Sequence, residues 1–338
     1  MLHATTDAAP ARAGVPPGTA DADALPDAQR GEVCLRLSMA HAGERDVLLR
    51  WQRVGAVDAP QLLLAGGISA GRHALANRID PAPGWWQGQA SSFDTDRFGL
   101  LSFDWIGADG ELDVPIDSAD QADALAALLD ALQVPCLHAF VGSSYGAMAG
   151  LQLAARHPAR VSRLVAISGA HRAHPFASAW RALQRRAVAL GAVQCDTADG
   201  LALARAMAML SYRTPEEFAQ RFDAEPVLAG GRVRCAAEDY LDAVSSRWVA
   251  RTPAVAFLRL SESIDLHRVD PARVRVPTTV VAVDSDRLVP AEDSRALFDA
   301  LPCAAGWHAL SSHYGHDAFL KEPAAIDAVL RDVLHSTC

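Results

Sequence analysis

Short, uninterrupted apolar runs recur along this chain, and they constrain its fold more than any other feature. Such runs of four to six residues occupy positions 61–65, 98–103, 137–141, 164–167 and 278–283. A strand that is apolar on both faces must be covered on both faces, as in a parallel sheet between two layers of helices. Helix-like stretches at 118–132, 147–157 and 323–334 separate or follow the runs. The pattern therefore predicts an α/β fold with a mostly parallel sheet.

The flanks and the middle of the chain differ from this pattern. Residues 1–30 are rich in alanine, proline and aspartate, and we expect a disordered N-terminal tail there. Alternating runs at 33–39 and 46–54 predict an antiparallel hairpin. Residues 176–265 hold long helical stretches without a convincing buried strand, which predicts a helical lid. The core would then consist of two parts, 31–175 and 266–338.

Bulk properties exclude several functions. A net charge of −9 over 338 residues argues against a general nucleic-acid binder. No apolar run approaches the length of a membrane helix, and the N-terminus lacks the apolar core of a signal peptide. The six cysteines are scattered and form no metal-binding pattern with histidine. We therefore expect a cytoplasmic protein with reduced thiols and no metal site.

The segment 142–146 reads Gly-Ser-Ser-Tyr-Gly, a G-x-S-x-G pattern between an apolar run and a helix-like run. Strand, sharp turn and helix form the context of a nucleophile elbow, with Ser144 at its central position. Ser143 is a competing hydroxyl but lies off that position. Taken alone, the segment also fits an ordinary turn between strand and helix, so the rest of a catalytic set decides its meaning.

A serine nucleophile needs a base, and the base needs an orienting carboxylate. In the α/β-hydrolase arrangement the chain order is serine, acid, histidine. Asp286 follows an apolar run and precedes Pro290 by four residues, so we favour it as the acid over Asp284. His316 follows a glycine just before the last helix-like run, so we favour it as the base over His313.

An oxyanion hole requires two backbone N–H donors. One is expected from Tyr145, directly after the nucleophile. The second is expected from the glycine-rich loop after an early strand, at Gly67 or Ile68. With these donors, four elements of a serine acyl-transfer site occur in the expected order.

Segments beyond these motifs carry a resemblance to a known family. Residues 174–178 lead into Leu-Gln-Arg-Arg-Ala-Val at 183–188, residues 210–214 read Leu-Ser-Tyr-Arg-Thr, and residues 315–320 read Gly-His-Asp-Ala-Phe-Leu. The pair of tryptophans at 84–86 recurs as well. On these segments the chain resembles the homoserine O-acyltransferases of the α/β-hydrolase superfamily, which transfer acetyl or succinyl groups in methionine biosynthesis.

The resemblance covers roughly residues 45–335 and implies an α/β-hydrolase fold with a helical lid. It implies a two-step transfer from acyl-CoA to the hydroxyl of L-homoserine through an acyl group on the serine, with no bound cofactor. Arg185 would bind the homoserine carboxylate, Asp317 would pair with its amine, and Tyr212 would belong to the substrate site. The resemblance also implies a homodimer formed through the lid.

Two departures from the family leave the acyl donor open. The elbow at 142–147 reads Gly-Ser-Ser-Tyr-Gly-Ala, whereas the family usually has Gly-Gly-Ser-Met-Gly-Gly, so Ser143 and Tyr145 depart from it. The segment 102–118 is also shorter than the family's. A succinyl donor would favour a cation or hydroxyl near its distal carboxylate, for which Arg72, Ser143 and Tyr145 are candidates. Serine as the acceptor, a carboxylesterase on the same fold and a catalytically silent binding protein remain alternatives.

Overall fold

The computed structural model describes residues 25–193 and 196–335. Its sheet has eight strands, in the spatial order β1-β2-β4-β3-β5-β6-β9-β10. These strands are β1 Ala28–Met39, β2 Gly43–Gly55, β3 Gln61–Ala65, β4 Gly99–Phe103, β5 Ala139–Ser143, β6 Leu164–Ile167, β9 Thr278–Val283 and β10 Ala304–Leu310. Pairing is antiparallel from β1 through β2 to β4, and parallel from β4 to β10. The predicted α/β fold is confirmed.

Helices flank the sheet and also form a separate layer. Those that follow the sheet strands are α1 Ser118–Ala131, α2 Tyr145–Arg156, α8 Ala291–Ala300, α9 Ala318–Lys321 and α10 Pro323–His335. Five more occupy the stretch predicted as a lid, and the name is kept for them below: α3 Pro175–Val193, α4 Thr197–Tyr212, α5 Pro215–Phe222, α6 Ala236–Val249 and α7 Ala254–Leu266. No helix among the described segments is long and apolar enough to cross a bilayer.

The first strand corrects the predicted extent of the N-terminal tail. The tail was expected to reach residue 30, yet β1 begins at Ala28, which pairs with Val54 of β2. Backbone pairing does not depend on side-chain hydrophobicity, so the polar residues Gln29 and Arg30 extend the ladder. Residues 1–24 lie outside the described part of the chain.

Side chains alternate between the two faces of the sheet and build a core on each. Leu62 and Leu64 of β3 belong to one buried cluster, together with Leu330 of α10. Leu63 between them belongs to the other, together with Leu151 of α2. All five residues are 2% exposed or less. The continuous apolar runs therefore reflect burial on both faces, as predicted.

The lid has a small apolar cluster of its own, centred on Trp248 and Phe257. It also contains a feature that the sequence did not predict, a two-stranded hairpin of β7 Val227–Ala229 and β8 Arg232–Arg234. These strands are short and largely exposed, so they lack the apolar pattern that marks the buried strands. The division of the chain into a 31–175 part, a 176–265 lid and a 266–338 part stays a prediction.

Candidate active site

Ser144 lies at a sharp turn between β5 and α2, in a backbone conformation that residues other than glycine rarely adopt. Its φ is 56° and its ψ is −120°. The turn is closely packed: a Cβ at position 142 would lie 2.4 Å from the carbonyl oxygen of Gly146, and one at 146 would lie 2.1 Å from that of Ala65. Glycine is therefore required at both places, which explains the G-x-S-x-G pattern.

Three side chains from distant parts of the chain form a hydrogen-bonded line at this turn. The Nε2 of His316 lies 2.7 Å from the Oγ of Ser144, and its Nδ1 lies 2.7 Å from the Oδ2 of Asp286. The Oδ1 of Asp286 accepts hydrogen bonds from the N–H groups of Leu288 and Val289. These bonds orient the carboxylate, which in turn orients the imidazole toward the hydroxyl.

The electrostatic setting of His316 favours a base that holds a proton firmly. Burial opposes the charged imidazolium, but the charge of Asp286 and its hydrogen bond outweigh burial and raise the pKa of His316. Asp317 adds to the raising effect, whereas the Arg181 charge lowers the pKa. A raised pKa suits a group that must take the serine proton and return it to a leaving group.

The alternatives for acid and base have other contacts. Asp284 accepts a hydrogen bond from the N–H of Ser312. The ring of His313 packs against that of Tyr314 in a tilted arrangement, with centroids 3.9 Å apart. Ser143 ends β5 with its side chain fully buried.

The loop after β3 brings the backbone of Gly67 close to Ser144. A Cβ at Gly67 would lie 3.9 Å from the Ser144 Oγ. The carbonyl of Gly67 accepts hydrogen bonds from the N–H of Ala70 and the indole of Trp105. The Gly67 carbonyl and the Ile68 N–H belong to one trans peptide and therefore point in opposite directions. The Ile68 N–H thus points away from Ala70 and Trp105. Tyr145 begins α2, where a first-turn N–H has no acceptor within its helix.

The side chain of Tyr145 points away from the reacting hydroxyl. It is buried against Trp105, and its hydroxyl lies 2.5 Å from the Oγ of Ser263 on α7. Burial raises the pKa of this phenol well above its usual range. Arg72 pairs with Asp104. Neither residue, nor Ser143, lines the cavity at Ser144, so none of the three suggested residues is positioned to meet a distal carboxylate.

A cavity of about 300 Å³ opens at the Ser144 hydroxyl between the sheet edge and the lid. Its floor includes Gly67, Ile68 and His316. Its polar lid wall is formed by Arg181, Gln184, Arg205, Ser211, Tyr212, Arg213 and Ser261, and Asp317 faces them. A second cavity of about 260 Å³ shares Ile68, Ser69, Ala70 and Phe257 with the first.

Arg185, which the resemblance assigns to the homoserine carboxylate, makes its contacts with another lid helix. Its guanidinium does not line the cavity. It turns toward α7, where it donates to the Oγ of Ser261 and pairs with Asp265 at 2.8 Å. Arg181, one turn earlier on α3, lines the cavity instead. The helical period puts both arginines near one face, but their pairing with α7 decides which of them reaches the cavity.

Arg205 on α4 lines the cavity but was not predicted from the sequence. Its guanidinium lies 5.8 Å from the Tyr212 ring and 5.2 Å from the Trp248 ring. Among the described residues it has no carboxylate partner, and its buried Nε has no hydrogen-bond acceptor. An unpaired cation held between aromatic rings at a cavity wall is available to a ligand. Only its position near Tyr212 in the chain could have suggested it.

Asp317 belongs to a buried row of alternating charges. Its carboxylate lies 3.1 Å from the Nε of Arg213, which also pairs with Glu217. Glu217 in turn pairs with Arg221 at 3.0 Å. Burial raises the pKa of Asp317, and the Arg213 charge opposes that rise. The row ties the lid to the residue next to His316.

This fold and this line of serine, histidine and aspartate define an enzyme-like site of the α/β-hydrolase class. Residues 60–323 match the family described as the alpha/beta hydrolase fold. The chain belongs, within that class, to the homoserine O-acyltransferases. It is 60% identical over 321 residues to the homoserine O-succinyltransferase of Xanthomonas campestris, covering 94% of this chain and 87% of that protein. It is 32% identical to the homoserine O-acetyltransferase of Clavibacter michiganensis over 75% of this chain and 77% of that one.

Solved structures agree at the level of the fold. The homoserine O-acetyltransferase from Bacillus anthracis superposes with a TM-score of 0.83 at 15% identity, over 92% of this chain and 98% of that one. Esterase E22 superposes with a TM-score of 0.81 at 18% identity, over 91% and 100%. Transferase and esterase thus share one scaffold, and the site must distinguish them.

Proposed function

We propose that this protein transfers an acyl group from acyl-CoA to the hydroxyl of L-homoserine through an ester on Ser144. The observation that carries the proposal is the placement of Arg205 and Asp317 in the cavity that opens at the Ser144–His316 pair. A cation and a carboxylate near a serine nucleophile suit a zwitterionic amino acid whose side chain carries the attacking hydroxyl. The close similarity to a homoserine O-succinyltransferase supports this choice of acceptor.

In the first step, Ser144 attacks the thioester carbonyl while His316 takes the hydroxyl proton. The resulting oxyanion is held by the N–H groups of Tyr145 and of Ile68 or Gly67. When the carbon–sulfur bond breaks, His316 gives its proton to the sulfur and CoA leaves as the free thiol. The acyl group remains as an ester on Ser144.

In the second step, the homoserine hydroxyl attacks the ester carbonyl and gives its proton to His316. The Ser144–acyl bond breaks, and His316 returns the proton to Ser144. The products are O-acylhomoserine and CoA, with no group left on the enzyme. Asp286 keeps its charge throughout and stabilises the imidazolium that forms in each step.

We propose that Arg205, rather than Arg185, holds the homoserine carboxylate, and that Asp317 receives the amine. Arg205 has no carboxylate partner among the described residues, whereas Arg185 is paired with Asp265. A planar guanidinium grips a carboxylate through two parallel hydrogen bonds and so sets the reach of the substrate. The Tyr212 ring lies 5.8 Å from the Arg205 guanidinium and 6.1 Å from the His316 ring, and it would close this side of the site.

The lid would favour acyl transfer over hydrolysis. An acyl-serine reacts with whichever nucleophile reaches it, so a transferase must exclude water and align its acceptor. Lid side chains such as Trp180, Met209 and Phe257 line the cavity and provide an apolar cover. The adjoining 260 Å³ cavity offers a passage for the long arm of CoA. Acyl-CoA would act as co-substrate, without a bound cofactor.

The decisive experiment measures free-thiol release from acetyl-CoA and succinyl-CoA with homoserine, serine or water as acceptor. The proposal expects release that depends on homoserine. The Arg205→Met variant should raise the KM for homoserine at least about tenfold, since a charged hydrogen-bonded pair is lost. Arg186→Met, on the exposed face of α3, is the matched control and should leave the KM for homoserine unchanged. Release that is independent of any amino acid would instead identify a hydrolase that transfers the acyl group to water.

Serine remains the second candidate acceptor. A serine O-succinyltransferase of Litchfieldella anticariensis is 29% identical over 82% of this chain. Serine carries its hydroxyl one methylene closer to the α-carbon, so the same clamp would hold it farther from the acyl carbon. A higher kcat/KM for serine than for homoserine would reverse our assignment.

We also propose a homodimer formed through the lid, and a cytoplasmic location. Leu183 and Leu190 of α3 and Leu203 and Leu210 of α4 are large apolar side chains left exposed on the lid. A second copy would cover them. Sedimentation of the full chain should give a dimer, and Leu203→Glu should weaken it. The free thiols Cys34, Cys136, Cys235 and Cys303 suit a reducing compartment.

A further inference from the structure

One cluster of ion pairs at the active-site cavity has a net positive charge. Arg181 and Arg185 of α3 share a single carboxylate, Asp265 of α7. Arg181 contacts its Oδ1 at 2.7 Å, and Arg185 contacts its Oδ2 at 2.8 Å. Two guanidinium groups against one carboxylate leave an excess of one positive charge. These side chains are at most 22% exposed, so water screens that charge only in part.

The remaining charges at the cavity do not absorb this excess. Arg213 and Arg221 are balanced by Glu217 and Asp317. Arg205 is unpaired within the described residues and serves the homoserine carboxylate in our proposal. The Arg181–Asp265–Arg185 cluster therefore offers a second anion site, separate from Arg205.

Of the cluster's two arginines, Arg181 is the one that faces the reacting centre. It lines the same cavity as Ser144, whereas Arg185 does not. Its side chain is 11% exposed and is held by Asp265 and by the hydroxyl of Ser178. Its charge also reaches His316, whose pKa it lowers. A guanidinium fixed in this way is ordered before any ligand arrives, which reduces the entropic cost of binding.

We infer that Arg181 binds the distal carboxylate of the donor's acyl group, so that the cluster selects a dicarboxylic monothioester such as succinyl-CoA over acetyl-CoA. The inference rests on the proposed acyl transfer and adds a specificity-determining residue to it. An acetyl group has no charge to offer Arg181, whereas a succinyl group ends in a carboxylate. Only the succinyl donor gains from this charge.

The cluster's composition makes Arg181 unusually easy to test. Replacing one partner of a buried ion pair normally strands the other charge and destabilises the fold. Here Arg181→Met leaves Asp265 paired with Arg185. The variant should therefore fold, and thermal unfolding should verify this. Arg181→Lys keeps the charge without the planar fork and should retain part of the selectivity.

The experiment measures kcat/KM for succinyl-CoA and acetyl-CoA in the same preparation of each protein, with homoserine saturating. The ratio of the two values does not depend on the active fraction. The wild type should favour succinyl-CoA. Arg181→Met should lower the succinyl-to-acetyl ratio about 30-fold or more, because any change in the titration of His316 affects both donors alike and cancels in the ratio. Arg181→Lys should lie between them, and Arg186→Met should match the wild type.

Contrary outcomes separate this inference from the proposed function. A wild type that prefers acetyl-CoA, or an Arg181→Met ratio equal to the wild type's, would overturn the inference and leave homoserine acylation intact. Equal losses for both donors would identify the cluster as a link between α3 and α7 only. A raised KM for homoserine with an unchanged donor ratio would move the acceptor carboxylate to Arg181. Thiol release that does not depend on homoserine would remove the proposed function itself.

Discussion

Gly315 packs directly against the backbone of Tyr212, and this contact joins the loop of His316 to the lid. A Cβ at 315 would lie 2.7 Å from the Tyr212 carbonyl oxygen, and the φ of Gly315 is 59°. Close by, the hydroxyl of Thr214 donates to the carbonyl of His313. His316 is thus positioned by the end of α4 as well as by Asp286.

Replacing Gly315 should disturb catalysis more than folding. Gly315→Ala adds a methyl group where a carbonyl already lies, and it does so at a positive φ. We expect His316 to shift and kcat to fall about 100-fold, as expected when a reacting group is misplaced by about 1 Å. Gly43→Ala is the matched control, because Gly43 also has a positive φ but open space around its Cβ. Equal activity of the two variants would contradict the proposed contact.

Acylation should depend on the titration of His316. Its raised pKa means that the protonated form persists above pH 6.5, the usual value for histidine. Only the neutral imidazole can accept the Ser144 proton, so kcat/KM for the donor should rise with pH and reach half its maximum above 6.5. Thiol release between pH 5.5 and 9, measured at low donor concentration, tests this. A midpoint below 6.5 would mean that burial outweighs Asp286.

Stability at acidic pH should depend on a different histidine. His267 is 2% exposed, its Nδ1 lies 2.8 Å from the Ser118 hydroxyl, and its Nε2 lies 3.0 Å from the carbonyl of Ala170. Burial lowers its pKa to about 4. The unfolded chain binds this proton more readily, so the contribution is present above pH 6.5 and is lost as the pH falls toward 4.

The full contribution is about 3 kcal/mol in the free energy of unfolding. Urea unfolding of the wild type and of His267→Gln, at pH values between 4 and 7.5, measures it. The variant should be less stable at neutral pH and should lose less stability on acidification. His308→Gln, a half-buried histidine on β10, serves as the control. Parallel pH curves for wild type and His267→Gln would rule out this role.

Tyr145 should contribute to activity through its backbone and to stability through its side chain. Tyr145→Phe removes the hydroxyl that contacts Ser263 and keeps the N–H next to Ser144. We expect a loss of about 1–2 kcal/mol in unfolding free energy, because Ser263 is left without its buried partner. The kcat should change less than about threefold. Adding Ser263→Ala should restore part of the stability, whereas a large loss of activity at unchanged stability would assign the phenol a role in the chemistry.

The sheet and the elbow are predictable from the sequence because neighbouring residues determine both. Strand burial is recorded in neighbouring residues, as at Leu62, Leu63 and Leu64, which face alternate cores. The elbow is likewise recorded in two glycines that no other residue could replace. Short exposed strands such as β7 and β8 have no apolar pattern of this kind, so the sequence does not predict them.

Polar side chains on the lid follow a different rule. Arg181, Arg185 and Arg205 all lie on helices near one cavity, and periodicity does not rank them. Their roles depend on partners far away in the chain, such as Asp265 for the first two and Trp248 for the third.

The amino-acid sequence by itself determined the α/β sheet, the elbow at Ser144 and the order in which Ser144, Asp286 and His316 follow along the chain. Only the tertiary structure decided that Arg205 stays unpaired while Arg185 is neutralised, and that the Tyr145 side chain turns into the core. The reason is physical. The burial of a strand depends on the apolar pattern of adjacent residues. The charge available to a ligand depends on which ion pairs form between residues that are distant in the chain.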